Sequence, residues 1–284
     1  MGDLKFKIVA DSSADRISTK NVEFASAPLK IVTSTREYVD DDTLDVEAMV
    51  GDLLSYSGKS STSCPNASDW ISSFGDADRI FCVTITATLS GSYNSACLAK
   101  KLYEEEHPDR RVHVINSLST GPEMKLIVEK LEELILSGVE YDDIIRKIDK
   151  YTKHTGLLFM LESLKNLANN GRVSPLAAKF AGFLGIRVVG KASDKGDLEQ
   201  LDKCRGEKRA LDVIVDYLKK LGYVGEKLRI AHCINPGAAE KLKALVLSIF
   251  PKADVEVYKC GGLCSFYAEH GGMLIGFEKC GATV

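Results

Sequence analysis

The sequence has no surplus of positive charge: 37 Lys and Arg stand against 40 Asp and Glu, for a formal net charge of -3. Affinity for a phosphate backbone comes from clustered cations, so no nucleic-acid partner is expected. No apolar run is long enough to cross a bilayer, and Met1 to Ala10 lack the charged-then-apolar layout of an export signal. A cytoplasmic protein without stable membrane insertion is the expectation. The eight cysteines, at positions 64, 82, 97, 204, 233, 260, 264 and 280, include no C-x-x-C pair. They read as reduced thiols, and with no histidine or second cysteine pair beside Cys260 and Cys264, no metal is expected. The G-x-x-x-x-G-K-[ST] loop that cradles nucleotide phosphates is also missing. No cofactor is expected.

What is present is an α/β rhythm. A chain of 284 residues is long for one core, which favours two α/β domains with a cleft between them. Apolar, β-branched runs at Phe6 to Ala10, Ile80 to Ile85 and Val112 to Asn116 predict strands, and helical spacings such as Met124, Ile127, Val128, Leu131 and Leu134 follow. That alternation indicates a largely parallel, Rossmann-like sheet in residues 1–155. In residues 156–284, runs at Gly156 to Met160, Ile186 to Val189, Asp197 to Cys204, Leu228 to His232, Val255 to Tyr258 and Met273 to Phe277 predict a mixed sheet with flanking helices. Further expectations are one strand over Ala27 to Val32, entered through Pro28, and a helix over Leu161 to Ala168. Ser174 to Leu184 reads as a helix apolar almost all round, which is either buried or walls an apolar cavity. Gly261 to Gly272 reads as a loop that carries His270. The acids of Asp40 to Asp45 are explained by a helix starting near Val46, whose dipole and cap they suit, rather than by a cation.

Two hydroxyl-rich stretches carry the candidate chemistry. Arg79 to Ala96 reads as a strand, a small polar turn and a helix start. Free N–H groups and the positive end of the helix dipole converge there, so Ser90, Gly91 and Ser92 suit a phosphate or a carboxylate; plain helix capping by Ser90 explains the same residues. In Lys59 to Trp70, Pro65 disfavours helix at Cys64, so Ser61 to Cys64 should be extended, with Thr62 and Cys64 on one face and Ser63 on the other.

Taken together and in order, several blocks resemble the DegV family of fatty-acid-binding proteins. Ile8-Val-Ala-Asp-Ser-Ser-Ala-Asp15 is similar to the family's D-S-x-A-D opening, Thr62-Ser-Cys-Pro65 to T-S-x-P, and Leu89-Ser-Gly-Ser-Tyr-Asn-Ser-Ala96 to L-S-G-T-Y-x-S-A. Leu164 to Val173, ending Asn-Gly-Arg-Val, resembles the L-x-x-G-G-R-I turn. The resemblance implies two α/β domains enclosing one long-chain fatty acid in a tunnel, with Thr62 and Ser90 on its carboxylate and Arg172 near the mouth. It also implies a partner, a fatty-acid kinase that phosphorylates the bound carboxylate. Two positions depart from the pattern: Asn170 replaces the first glycine before Arg172, and Tyr267 stands where the family's G-P-V-I-G-T-H block ends in histidine, with His270 three residues later. The expected ligand-binding set is Thr62, Ser63, Ser90, Gly91, Arg172 and either Tyr267 or His270.

A binder without catalysis fits these parts. A sixteen-carbon tail buries roughly fourteen methylenes, on the order of 11 kcal/mol gross, whereas each hydrogen bond to a carboxylate adds about 1.5 to 3 kcal/mol. The tail supplies affinity and the head group fixes register. One alternative is a serine acyl hydrolase using Ser90, but Thr88 and Ser92 replace the outer glycines of a nucleophile elbow, and nothing in the spacing selects Asp194, Glu269, His232 or His270 as triad partners. The other alternative is a binder of a small phosphorylated metabolite.

Overall fold

A computed structural model describes residues 4–174 and 185–282. Phe6–Asp11 (β1), Glu23–Ala27 (β2), Arg79–Thr84 (β6) and Arg111–Asn116 (β7) form a sheet of order β2-β1-β6-β7, and every pairing in it is parallel. It is buried on both faces. After Val46–Ser55 (α1), the helices Ala67–Phe74 (α2) and Ser92–Glu106 (α3) pack Trp70, Phe74, Ala96, Ala99 and Tyr103 on one side of it. Met124, Ile127, Leu131, Ile144 and Ile148, from Pro122–Leu136 (α4) and Tyr141–Tyr151 (α5), pack on the other. Strand order reverses between β1 and β6, and the crevice at the carboxyl ends of strands at such a reversal is where open α/β sheets hold ligands. The turns Asp11 to Asp15, Ile85 to Gly91 and Ser117 to Gly121 all open there.

The second sheet has the order β10-β9-β8-β13-β11-β12. Its strands are Thr155–Leu161 (β8), Ile186–Ala192 (β9), Leu198–Arg205 (β10), Lys227–His232 (β11), Asp254–Lys259 (β12) and Met273–Glu278 (β13). Only the β11–β12 pairing is parallel, so the sheet is mixed, and β9 and β10 form an antiparallel hairpin. α4 joins the two sheets. Its Glu123 accepts from Thr155 Oγ1 at 2.7 Å, its Lys125 pairs with Glu256 at 2.7 Å, and its Glu129 takes Arg229 by both oxygens at 2.8 Å. Gly276 permits this approach, because a Cβ there would lie 2.5 Å from the Pro122 carbonyl carbon.

Three expectations need correction. Ala27 to Val32 is not one strand: β2 ends at Ala27 and Lys30–Val32 (β3) belongs to a separate antiparallel sheet with Glu37–Val39 (β4) and Ser61–Ser63 (β5). Pro28, which lacks the N–H a ladder needs, sits at the break. Leu161 ends β8, and the helix after it, Lys165–Asn169 (α6), is only one turn and a half. Gly261 to Gly272 holds a helix, Gly262–Ala268, rather than a loop throughout. Beyond Ser174, the apolar helix expected to Leu184 lies outside the described residues.

Candidate functional site

Asp11 organises the switch-point crevice. At the end of β1 its buried carboxylate accepts from Ile85 N–H at 2.9 Å, Ser92 Oγ at 2.6 Å and Ser13 N–H at 3.2 Å. Burial pushes its pKa up, and the hydroxyl and amide donors oppose that rise. Asp11 thereby fixes the turn that carries Ser90. α3 begins at Ser92 with Gly91 as its cap residue, which has no side chain to offer. The Ser92 N–H instead donates to Ser90 Oγ at 3.3 Å, leaving the half-buried Ser90 hydroxyl its own proton to donate elsewhere.

Thr62 is the middle residue of β5, turned inward between exposed Ser61 and Ser63 by the period of the strand. Its Oγ1 lies 2.8 Å from the hydroxyl of Tyr267, on the last turn of helix Gly262–Ala268. That helix is held from a distance at its start. Asp40 accepts the N–H groups of Gly262 at 2.6 Å and Leu263 at 2.8 Å, and Asp15 Oδ1 accepts Gly261 N–H at 2.8 Å. Carboxylates suit a helix amino end, but here burial is the larger influence and raises both pKa values, that of Asp15 to about 7. Burial also raises the Tyr267 phenol, with the Thr62 hydrogen bond and nearby Arg172 opposing, so Tyr267 is a neutral O–H donor at physiological pH.

Arg172, just past α6, reaches back to the same place. Its Nε donates to the Leu89 carbonyl at 3.2 Å and its guanidinium lies 6.0 Å from the centre of the Tyr267 ring. Asn170, the departure from the family's glycine, donates through Nδ2 to Ser60 O at 3.2 Å and Asn166 O at 2.9 Å, tying the turn to the chain just before β5.

Thr62, Ser90, Arg172 and Tyr267 all line one cavity with about 660 Å³ of space not filled by atoms, its open mouth included. The rest of its wall is nearly all apolar. Leu157, Phe159 and Leu161 of β8, with Leu198 and Leu274, form a floor on the second sheet. Leu29, Ile85, Leu89, Leu263 and Ala268 face them. Thr120 and Cys264 are the remaining weakly polar lining groups, 3.7 Å apart.

Three expected residues stand apart from this cavity. Ser63 is exposed on the opposite face of β5, because neighbouring strand residues point to opposite sides. Gly91 is exposed too; a Cβ there would lie 3.2 Å from Cys64 Sγ, so it serves close packing at the start of α3. His270 is exposed beyond the helix end and borders a surface groove with Val50, Leu54, Lys165 and Glu269. Of the pair Tyr267 and His270, it is Tyr267 that reaches the cavity. The D-S-x-A-D block flags Asp11 and Asp15 in the sequence, but not that they organise residues seventy and more positions away.

Among the described residues that line the cavity there is no His, Asp, Glu or Lys. Among all the described residues, no group of three or more His, Cys, Asp or Glu is placed to hold a metal ion, and no helix is long and apolar enough to cross a membrane. All eight cysteines are unpaired.

A parallel sheet with its switch-point crevice closed by a mixed sheet into an apolar cavity is the architecture of a known family, and a model described as "Uncharacterised protein, DegV family" matches residues 5–279. The chain belongs to the DegV family. Among its relatives, a DegV domain-containing protein of Streptococcus pneumoniae is 43% identical over 279 residues, covering 97% of this chain and 99% of the relative. The Fatty Acid Kinase (Fak) B3 protein of S. pneumoniae, solved loaded with linoleic acid, superposes with a TM-score of 0.95 at 43% identity, covering 97% of this chain and 99% of its own. A DegV family protein from Eubacterium eligens, loaded with heptadecanoic acid, gives a TM-score of 0.95 at 45% identity over 96% of this chain and 99% of that one.

Proposed function

We propose that this chain binds one long-chain fatty acid in the cavity and presents its carboxylate to a fatty-acid kinase, performing no chemistry of its own. The observation that carries this reading is a single apolar cavity with Thr62, Tyr267, Ser90 and Arg172 gathered at one place on its wall. The similarity to structures loaded with linoleic and heptadecanoic acids supports it.

In this reading the hydroxyls of Ser90 and of the Thr62–Tyr267 pair donate to the carboxylate, and Arg172 supplies positive charge beside it. Hydrogen bonds to a charged acceptor are the strong ones, so they orient the acid end while methylene burial holds the tail. An oriented carboxylate oxygen is what a kinase needs as nucleophile, since phosphoryl transfer depends chiefly on positioning. Residues 1–155 supply Thr62 and Ser90, and 156–284 supply Arg172 and Tyr267, so the site is complete only when both halves are together. Free thiols throughout suit the reducing cytoplasm, where a kinase would also find ATP.

Organic extraction of the purified protein, followed by mass spectrometry, tests the reading. About one equivalent of a long-chain acid is expected, convertible to acyl phosphate when a fatty-acid kinase and ATP are added to the loaded protein. A protein that neither carries nor takes up such an acid would overturn it.

A further inference from the structure

Among the described residues of the cavity wall, Phe159 is the one wholly apolar aromatic; the other apolar residues are leucines, an isoleucine and an alanine. It sits in the middle of the floor. The register across the sheet runs Gly190, Phe159, Leu274, Ala231, so the ring has a residue without a side chain on one flank and a leucine on the other. The ring leans to the empty flank. A Cβ on Gly190 would stand 2.2 Å from Phe159 Cζ and 2.5 Å from Cε2, which means that the ring already fills the space a residue-190 side chain would take. Only 4% exposed, Phe159 lies down on the sheet between β8 and β9 instead of standing up into the cavity. Side chains occupy discrete staggered positions, so the ring's other positions would project away from Gly190 and across the channel.

We propose that Phe159, bedded on Gly190, sets the cross-section of the channel and so selects which acyl chains the protein accepts. This rests on the fatty-acid-binding reading above and deepens it. A smaller side chain at 159 opens space where the ring lay, and a larger one, which Gly190 cannot fully accommodate, intrudes where the chain would run. Phenylalanine exceeds leucine by about one methylene's worth of volume, and one buried methylene is worth about a fourfold change in affinity.

The test uses delipidated full-length protein, offered an equimolar mixture of tetradecanoic, hexadecanoic, octadecanoic and oleic acids, with the bound fraction extracted and quantified by mass spectrometry. Phe159→Leu should raise the ratio of oleic acid, whose cis double bond kinks the chain and widens the space it needs, to straight octadecanoic acid by about fourfold relative to wild type, and Phe159→Trp should lower it. Total acid bound per protein and the thermal unfolding temperature are read in parallel. If the tryptophan variant does not fold, the leucine variant decides. A leucine variant that binds a full equivalent with the wild-type ratios overturns the inference while leaving the binding function intact. A wild-type protein that takes up none of the four acids overturns the binding function and the inference with it.

Discussion

The Thr62–Tyr267 pair makes a sharp prediction because each hydroxyl has one proton and the two oxygens are 2.8 Å apart. Whichever group donates within the pair, one O–H is left for a bound carboxylate. Thr62→Val leaves the Tyr267 phenol able to donate directly, and Tyr267→Phe leaves the Thr62 hydroxyl able to do so. Either single change removes one neutral hydrogen bond, about 1 kcal/mol, or about fivefold in affinity. The double change removes the last donor of the pair to a charged acceptor, bringing the total to about 3 kcal/mol, or more than a hundredfold. The tail contribution is untouched, so all variants should still load at high concentration. Displacement of a fluorescent polyene fatty acid by hexadecanoic acid at constant pH and salt measures each affinity. Losses that multiply, about twenty-five-fold for the double variant, would mean that the hydroxyls act independently. No loss in any variant would place the carboxylate elsewhere.

Other expectations follow from the groups behind the site. Asp15 has a folded pKa of about 7, raised by burial, above the roughly 3.9 of an unfolded chain. Below both values it contributes no difference; as pH rises between them the unfolded chain ionises first and the native state loses stability, until the loss levels off above pH 7. Asp15→Asn keeps the acceptor for Gly261 and abolishes this loss. Urea unfolding at pH 5 and pH 8 should show the variant gaining on wild type as pH rises, by on the order of 2 to 4 kcal/mol at pH 8; a gain that does not change with pH would contradict this. Asp11→Ala strips the acceptor from Ile85 N–H and Ser92 Oγ. It should cost about 3 kcal/mol in urea unfolding and speed acid dissociation, since the Ser90 turn loses its anchor. Gly196 has φ +84°, and a Cβ there would lie 2.1 Å from Thr86 Oγ1. Gly196→Val should therefore destabilise by about 2 to 4 kcal/mol by thermal unfolding, while replacement at Gly138, which has a similar φ but nothing within 4 Å, should cost less.

Three of the first sheet's four strands, β1, β6 and β7, were legible because they are apolar, β-branched runs followed by amphipathic helices, patterns that depend only on neighbours in the chain; β2, Glu23–Ala27, has no β-branched residue and was not. Ser90 and Thr62 were legible as residues, through turn chemistry and Pro65, although only the family resemblance joined them into one site. What escaped was set by contacts far apart in sequence. Gly262–Ala268 looks like loop because of its glycines, and it becomes a helix whose amino end is met by Asp15 and Asp40 from the other end of the chain. With that helix in place, Tyr267 points into the cavity while His270 is left outside. Residues 27 to 32 read as one apolar run, yet Pro28 divides them between two sheets, a break whose destination no local pattern specifies. Phe159 looked like one more core residue of a buried strand; its place against Gly190 follows from strand register, which pairs residues thirty-one positions apart.

A crystal structure of the protein loaded with hexadecanoic acid tests the central claim most directly. The acid's carboxylate should lie within hydrogen-bonding distance of the Ser90 hydroxyl and of the Thr62–Tyr267 pair, with its methylenes running over Leu157, Phe159 and Leu161. A carboxylate found instead beside Thr120 and Cys264, or an acid bound outside the cavity, would contradict the account.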